Sequence, residues 1–406
     1  MPWGQVLHRK KKLENVSMQH LTPITRNETL EKFDPCSCLP RGSGKEIFEQ
    51  LFLAISRKYT IFILIVRSTR PWFTGSEPRC AIFLPDFPKH MEPGLSLTMK
   101  FDKKYQTTAQ HIELMKSRGL EIGDETFAAH WLEKSGYYRL TGYGLPFRKR
   151  CPNGELEDGF VEGAAFEDIV SLYEFDRHLR LLVLDAVERF EVAFRTCLNN
   201  TLASKYGPHW FIDRNLWSDK IDEKTGKPYF DHAEFLEAVN KDRQTPFIKK
   251  YRATYDDPEY PPCWMLAETM TLGTWSRAYG MLVNNQDKKP VSDAFHLSVG
   301  EMVSWSQTIN DLRNKCAHQS RIWDARYVSG PRKKGYLKNI VGDNQCFFAQ
   351  VAALIYCLWS VEPENSWLER LNVLLESCPL ACLKTMGFPR DWKEKLLFLR
   401  ESATGL

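Results

Sequence analysis

Three residues with the side chains of acid–base and anion chemistry lie close together in the segment LRNKCAHQSRIWD, residues 312–324. They are Arg313, Asn314 and His318. A histidine can give or take a proton near neutral pH, so it suits general acid–base catalysis. An arginine stays protonated and offers a planar fork of donors to a phosphate or a carboxylate. An asparagine one turn before the histidine could orient it or hold a substrate oxygen.

The sequence around these residues predicts a helix over 300–323. Its apolar residues recur three, four or seven apart and form one stripe, the pattern of a packed helix. The stripe consists of Met302, Trp305, Ile309, Leu312, Cys316 and Trp323. The opposite, polar face carries Asp311, Asn314, His318 and Arg321. Arg313 lies five residues before His318, about 140° around a straight helix. We therefore expect either that the long Arg313 side chain bends around the helix towards His318, or that a neighbouring helix or a second subunit completes the site.

The rest of the pattern predicts an all-α protein built around a helical bundle. Further helices are predicted over 107–118, 124–135, 166–202, 262–284, 344–360 and 365–377. The helix over 166–202 is the longest, and its apolar residues keep one stripe from Leu172 to Cys197. Its charged residues are assigned to the remaining surface. Among them, Arg177, Arg180 and Arg195 are interpreted as partners for acids on the same helix, or alternatively as an edge that faces phosphates.

Composition narrows the class of protein. Of the 406 residues, 43% are hydrophobic and 26% are charged, which is typical of a globular chain with a core. The net charge is +4, but residues 1–98 carry 14 basic and 9 acidic residues, so the remainder is close to neutral. Nucleic-acid binding would therefore need a local basic patch. The eleven cysteines form no zinc-ligand pattern, so no metal or cofactor is expected.

The most apolar run, YTIFILIV at 59–66, is far shorter than the roughly 20 residues that a membrane-spanning helix needs. The first twenty residues lack the apolar core of a secretory signal. We therefore expect no membrane association, and a cytoplasmic protein.

Five segments resemble one family in the same order along the chain. RNKCAH, at 313–318, is similar to the Arg-x4–6-His signature of HEPN ribonucleases, and with QSRIWD it resembles the Abi-like proteins of bacterial abortive infection. The other four are GYYRLTGYGLPFR at 136–148, YEFDRHLRLLVLDAVERFEVAFR at 173–195, WMLAETMTLGTWSRAY at 264–279 and MGFPRDW at 386–392. The resemblance covers residues 100–397. At Gln319 this sequence departs from many members, which carry a second histidine there.

The resemblance implies a HEPN-like helical bundle with additional helices, and metal-independent cleavage of RNA in resistance to bacteriophage. His318 would move a proton on the ribose 2′-hydroxyl or the leaving oxygen, and Arg313 would steady the phosphate. Asn314 would be the positioning group. The resemblance also implies a homodimer, since HEPN motifs work in pairs. A cognate small RNA or an antitoxin fits as a further partner. The alternative is a non-catalytic RNA- or protein-binding module that keeps the HEPN fold.

RNA would be bound by four arginines: Arg321, Arg177, Arg180 and Arg139. Aromatic residues of the 136–148 segment could stack on bases beside Arg139, or pack in the core. For Arg313 the alternative is an ordinary ion pair with Glu301 or Asp324. Cys316 is predicted to be a small core residue on the apolar stripe, not a nucleophile.

The domain organisation is predicted in four parts. Residues 1–98 are a poorly patterned, irregular extension, which is disordered, a small appended element, or outside the native protein if translation begins at Met99. Within it, 47–66 fits a helix or a strand equally well. Residues 99–160 form the N-terminal part of the Abi-like domain. Residues 161–328 form the HEPN-like helical core, and 329–406 form a C-terminal helical part.

Overall fold

A computed structural model describes residues 103–221, 228, 230–241 and 245–404, and the backbone of residues 49–55 and 60–66. The chain divides into two compact units, Met1–Asp102 and Lys103–Leu406. In the first unit, β1 (Glu49–Ile55) and β2 (Thr60–Val66) pair antiparallel, so of the two alternatives for 47–66 the described residues form strands. The other predictions for residues 1–98 lie outside the described residues.

The second unit is helical, which confirms the all-α class. Its first elements are α1 (Thr108–Ser117), α2 (Glu125–Ser135) and α3 (Tyr137–Tyr143). A short hairpin of β3 (Arg148–Arg150) and β4 (Leu156–Phe160) follows. The next helices are α4 (Phe166–Tyr206), α5 (His232–Lys241), α6 (Pro246–Thr254), α7 (Cys263–Leu266), α8 (Leu272–Met281) and α9 (Asn285–Asp293). The last are α10 (Val299–Ala317), α11 (Phe347–Val361), α12 (Trp367–Glu376) and α13 (Trp392–Thr404).

Helix α4 is the central element of this unit. Its 41 residues pack against α3, α9, α10, α11 and α12. The apolar stripe predicted from the sequence faces this core, and Phe175, Leu179 and Phe190 are buried on it. Helix α11 is apolar around its whole circumference and is buried from Phe347 to Trp359, as expected for a helix that other helices surround. Helix α10 packs on α4, α8 and α11, and it carries the residues of chemical interest.

Several helix ends follow from local signals in the sequence. Thr107 caps α1 in a capping box with Gln110, and Asp124 caps α2 through two backbone N–H groups. Ser298 and Glu301 form a capping box at the start of α10. The far end of α10 differs from the prediction. The helix ends at Ala317, so Arg321 and Trp323 do not lie on it.

Candidate functional site

The site is built at the carboxyl end of α10. His318 is the C-cap residue of the helix, and Gln319 takes a left-handed conformation with φ of 51°. The N–H of Gln319 donates to the Cys316 carbonyl at 3.0 Å, and the N–H of Ser320 donates to the Lys315 carbonyl at 2.9 Å. This is the Schellman arrangement, in which glycine usually occupies the left-handed position. The chain therefore turns sharply just after His318, whose side chain is exposed.

Arg313 and Asn314 are joined by their side chains. The Arg313 Nη1 donates to the Asn314 Oδ1 at 3.1 Å, and both residues are half-buried. Neither acid named as an alternative partner pairs with Arg313: Glu301 bonds to Ser298, and Asp324 pairs with another arginine. Within residues 103–404 as described, Arg313 makes no ion pair with an acid. Its charge is thus directed at a neutral amide oxygen and is not neutralised by an acidic partner.

A cleft of about 280 Å³ opens beside this group. Its lining includes Asn314, Lys315, His318, Tyr327 and Val328, so the structure brings two of the three predicted catalytic residues together. Arg313 does not line the cleft and reaches it through Asn314. Tyr327 is buried, with the Lys315 Nζ 5.4 Å from its ring centre, a cation–π distance. The cleft therefore combines a histidine, an amide and a cation with one acid, Asp311, whose carboxylate accepts a hydrogen bond from the Ser329 hydroxyl.

The segment that follows His318 is held by Asp176 of α4. This carboxylate is 0% exposed. It accepts hydrogen bonds from the backbone N–H groups of Ile322 (3.1 Å) and Trp323 (2.9 Å). It also accepts from the Tyr143 hydroxyl at 2.7 Å and pairs with the Arg180 guanidinium. Four donors thus converge on one buried acid and offset part of its loss of water, although burial still raises the pKa of this carboxyl above its ordinary value.

Asp176 is the residue that sequence reasoning missed, because it was assigned to the surface of the long helix. Its spacing gave a signal: Asp176 precedes Arg180 by four residues and stands next to Phe175 on the buried stripe. An acid and an arginine on an apolar stripe indicate a buried pair, since lone buried charges are rare. The partner segment, however, lies more than 140 residues away in the sequence.

Arg180 is a buried part of the same network. It is 5% exposed, and its Nη1 donates to the Tyr143 hydroxyl at 3.2 Å and to the Ser320 carbonyl at 3.4 Å in addition to pairing with Asp176. A guanidinium enclosed by three protein oxygens would have to leave them to reach an RNA phosphate. We therefore assign Arg180 to holding the site and do not carry it forward as an RNA contact.

The other three arginines predicted to bind RNA are placed differently. Arg139 is exposed, and its Nη1 donates to the Gln319 carbonyl at 2.7 Å. Arg321 donates to the Gly142 carbonyl and pairs with Asp324 at 2.9 Å. Arg139 and Arg321 thus each donate to a backbone carbonyl, as Arg180 does.

The remaining one, Arg177, lies on an exposed part of α4 and approaches Glu174 at 3.8 Å. It is a solvated residue with a weak ion pair. Tyr138, next to Arg139, is 93% exposed, whereas Tyr143 is buried. The aromatic residues of this segment are therefore divided between the surface and the core.

Cys316 is buried on the apolar stripe, as predicted. Burial, together with the nearby Asp176 carboxylate, raises the pKa of its thiol to about 12. A thiol of this kind stays protonated at neutral pH and is a poor nucleophile. In the part of the chain that the structure describes, no group of three histidine, cysteine or acidic side chains could hold a metal ion. Nor is any described helix long and apolar enough to cross a membrane.

The chain is similar to a known protein family. No curated protein and no solved structure matches the chain. Residues 130–324 match the model of the Abi-like protein family. The matched segment contains Asp176 and Arg180 of α4 as well as Arg313, Asn314 and His318 of the site, and it ends at the acid that pairs with Arg321. This match supports the Abi family for the chain.

Proposed function

We propose that the protein acts in abortive infection by cutting RNA without a metal ion, and that His318, Arg313 and Asn314 form its catalytic site. The observation that supports this is the arrangement at the end of α10. There an exposed histidine and the amide of Asn314 line one cleft, and that amide is hydrogen-bonded to an arginine that makes no ion pair with a described acid. The Abi-like match supports the biological role, resistance to phage.

The reaction would be transfer within the RNA chain. The ribose 2′-oxygen bonds to the adjacent phosphorus while the bond from phosphorus to the 5′-oxygen breaks, so the products are a 2′,3′-cyclic phosphate and a 5′-hydroxyl. One proton leaves the 2′-hydroxyl and one reaches the 5′-oxygen. His318 performs one of these transfers, and His318 of a second copy would perform the other. DNA lacks the attacking hydroxyl and would not react.

Arg313 would stabilise the phosphorus centre as negative charge builds on its oxygens. In the free protein, its guanidinium donates a hydrogen bond to the Asn314 Oδ1 at 3.1 Å, which orients it. Asn314 lines the cleft and would have to release Arg313 before both groups could contact a phosphate there. Lysine would supply the charge but not the planar pair of donors, so Arg313→Lys should be severely impaired.

The test is cleavage of a labelled single-stranded RNA by the wild type, His318→Ala and Arg313→Lys, in the presence of EDTA. The wild type should cut the RNA to products that end in a 2′,3′-cyclic phosphate, and both variants should lose at least about 100-fold in rate. His130→Ala is the matched control, because His130 is exposed on α2 and does not line the cleft. A 2′-deoxy sugar at the cleavage position should make the substrate inert.

Three results would contradict the assignment. His318→Ala that cuts as fast as the wild type would make the motif structural. Loss of cleavage in EDTA, restored by a divalent ion, would require a different mechanism. Absence of cleavage by the folded wild type would favour the non-catalytic RNA- or protein-binding alternative.

A further inference from the structure

A second feature beside the cleft is a strongly basic segment, residues 326–338, which we call the basic loop. Its sequence, RYVSGPRKKGYLK, holds five basic residues and no acid. All five are exposed: Arg326, Arg332, Lys333, Lys334 and Lys338. Residues 99–406 are close to electrically neutral as a whole, so this density of charge is local. A local patch of this kind is the usual electrostatic signature of nucleic-acid binding.

The backbone of the basic loop is fixed on helix α10. The N–H of Arg332 donates to the Ser304 Oγ at 2.9 Å, and the Trp305 indole donates to the Arg332 carbonyl at 3.3 Å. Leu337 is buried in the core. The basic side chains therefore project from an anchored backbone, and ordering them on a ligand costs less than ordering a mobile segment.

Most of these cations are free of acidic partners. Arg326 pairs with Asp343, and Lys333 donates to the Gly342 carbonyl at 2.6 Å. Within the described residues, Arg332, Lys334 and Lys338 make no ion pair. Exposed cations that are not neutralised by protein acids remain available to an external anion.

The basic loop is continuous with the candidate site. Its second and third residues, Tyr327 and Val328, line the cleft together with His318, and Val328 is 96% exposed. Its anchor at Ser304 and Trp305 lies about 13 residues back along α10, which corresponds to roughly 20 Å of helix. A strand whose scissile phosphate sits at His318 could therefore run along α10 for several nucleotides.

We propose that the basic loop binds the phosphate backbone of a single RNA strand and directs it into the cleft, with Arg332, Lys334 and Lys338 as the phosphate contacts. This inference rests on the proposed function, since RNA is chosen because the loop leads to His318. In this proposal the basic loop takes over the RNA-binding role that the sequence had predicted for Arg139, Arg180 and Arg321, which instead donate to protein oxygens. Contacts to the backbone carry no base specificity, so the loop adds affinity and not sequence preference.

The experiment measures binding and not cleavage. A fluorescent single-stranded RNA with 2′-O-methyl sugars, which cannot react, is titrated with the His318→Ala protein at salt concentrations between about 50 and 200 mM. The loop variant adds Arg332→Gln, Lys334→Gln and Lys338→Gln. The matched control adds Lys249→Gln, Lys250→Gln and Lys384→Gln, which remove the same charge from exposed lysines outside the cleft and the loop. Thermal melting checks that all three proteins are folded.

Each phosphate contact on a single strand contributes about 0.7 to the slope of log Kd against log salt, so loss of three contacts should lower the slope by about 2. Between the two salt limits the parent should then lose about 20-fold more affinity than the loop variant. The control should behave as the parent does.

A loop variant with the parent's affinity and slope overturns the proposal, and this is also the result expected if the loop binds an acidic protein instead of RNA. Equal losses in the loop variant and the control overturn it too, because the effect would then be bulk charge. If RNA binds through the loop but the wild type never cuts RNA, the ribonuclease proposal fails and the loop proposal stands.

Discussion

Replacement of Asp176 by alanine is the sharpest test of how the site is held together. This carboxylate is fully buried and receives the backbone N–H groups of Ile322 and Trp323, the Tyr143 hydroxyl and the Arg180 guanidinium. The alanine variant removes the acceptor of all four donors at once. It leaves a buried arginine without its counter-charge, and a segment next to His318 without its tether.

We expect Asp176→Ala to lower the free energy of unfolding by a large amount. Breaking a buried ion pair by removing one partner costs about 3–5 kcal/mol, because the remaining charge is buried and unpaired. The two backbone N–H groups add to this where water cannot replace the lost oxygen. Since domains are stable by only about 5–15 kcal/mol, the free energy of unfolding should fall by a third or more. Urea denaturation followed by circular dichroism measures this change.

A partly exposed acid on the same helix, Asp185, gives the matched control. Asp185 and Arg189 also lie four residues apart on α4, at 2.6 Å, and Asp185 pairs with Arg370 at 2.8 Å as well, but these side chains are partly exposed. Asp185→Ala removes two such pairs and should therefore cost at most about 2 kcal/mol. An Asp176→Ala variant that is no less stable than Asp185→Ala would refute the argument, because it would mean that the four donors contribute little.

A double variant separates the charge from the tether. In Asp176→Ala combined with Arg180→Met, no unpaired charge remains, so the two changes together should cost less than the sum of the single changes. The backbone bonds to Ile322 and Trp323 stay broken in this protein. If RNA is cleaved as proposed, the kcat of the double variant should fall more than its KM rises, since the segment after His318 would lose its fixed position.

Other predictions follow from single features. A chain that begins at Met99 should fold and act as the full chain does; loss of solubility or activity would count against this. The protein should be a two-fold homodimer by light scattering, and a monomer at concentrations that still cut RNA would exclude a composite site. Gln319→Gly should raise the free energy of unfolding by about 1 kcal/mol, because Gln319 has a positive φ; a decrease would mean that its side-chain bond to the Ala317 carbonyl contributes more. Among the eight cysteines of the described residues, Cys382 should react first with iodoacetamide, as read by peptide mass, because a hydrogen bond from the Thr385 backbone lowers its pKa and it is exposed.

The helices were predictable where local chemistry determines them. The caps at Thr107 and Asp124 and the apolar stripe of α4 are properties of a few neighbouring residues. The end of α10 was not predictable in this way. No glycine marks the turn, since Gln319 takes the left-handed position, and Trp323 continues the seven-residue spacing of the stripe although it lies beyond the helix. Its burial results from the turn that returns the chain to the core.

The candidate site was predictable in part for a related reason. Arg313, Asn314 and His318 are close in sequence, so their spacing alone indicates a group, and the structure places Asn314 and His318 on one cleft. Asp176, on α4, contacts the backbone of Ile322 and Trp323, and no spacing in the sequence predicts a contact between residues so far apart. The pairing of Asp176 with Arg180 was visible as a four-residue interval, but whether it faces water or protein depends on the packing of α3 and α10 around α4.

The arginines near His318 also show why charge in a sequence does not identify a binding surface. Arg139, Arg180 and Arg321 each donate to a backbone carbonyl: those of Gln319, Ser320 and Gly142. A guanidinium is suited to this because its several donors can hold a chain segment and an acid together. The 136–148 and 173–195 segments thus supply groups that hold residues 319–323. If these arginines are committed to protein, affinity for an RNA strand has to come from cations without such partners, and in the described residues next to the cleft the basic loop supplies them.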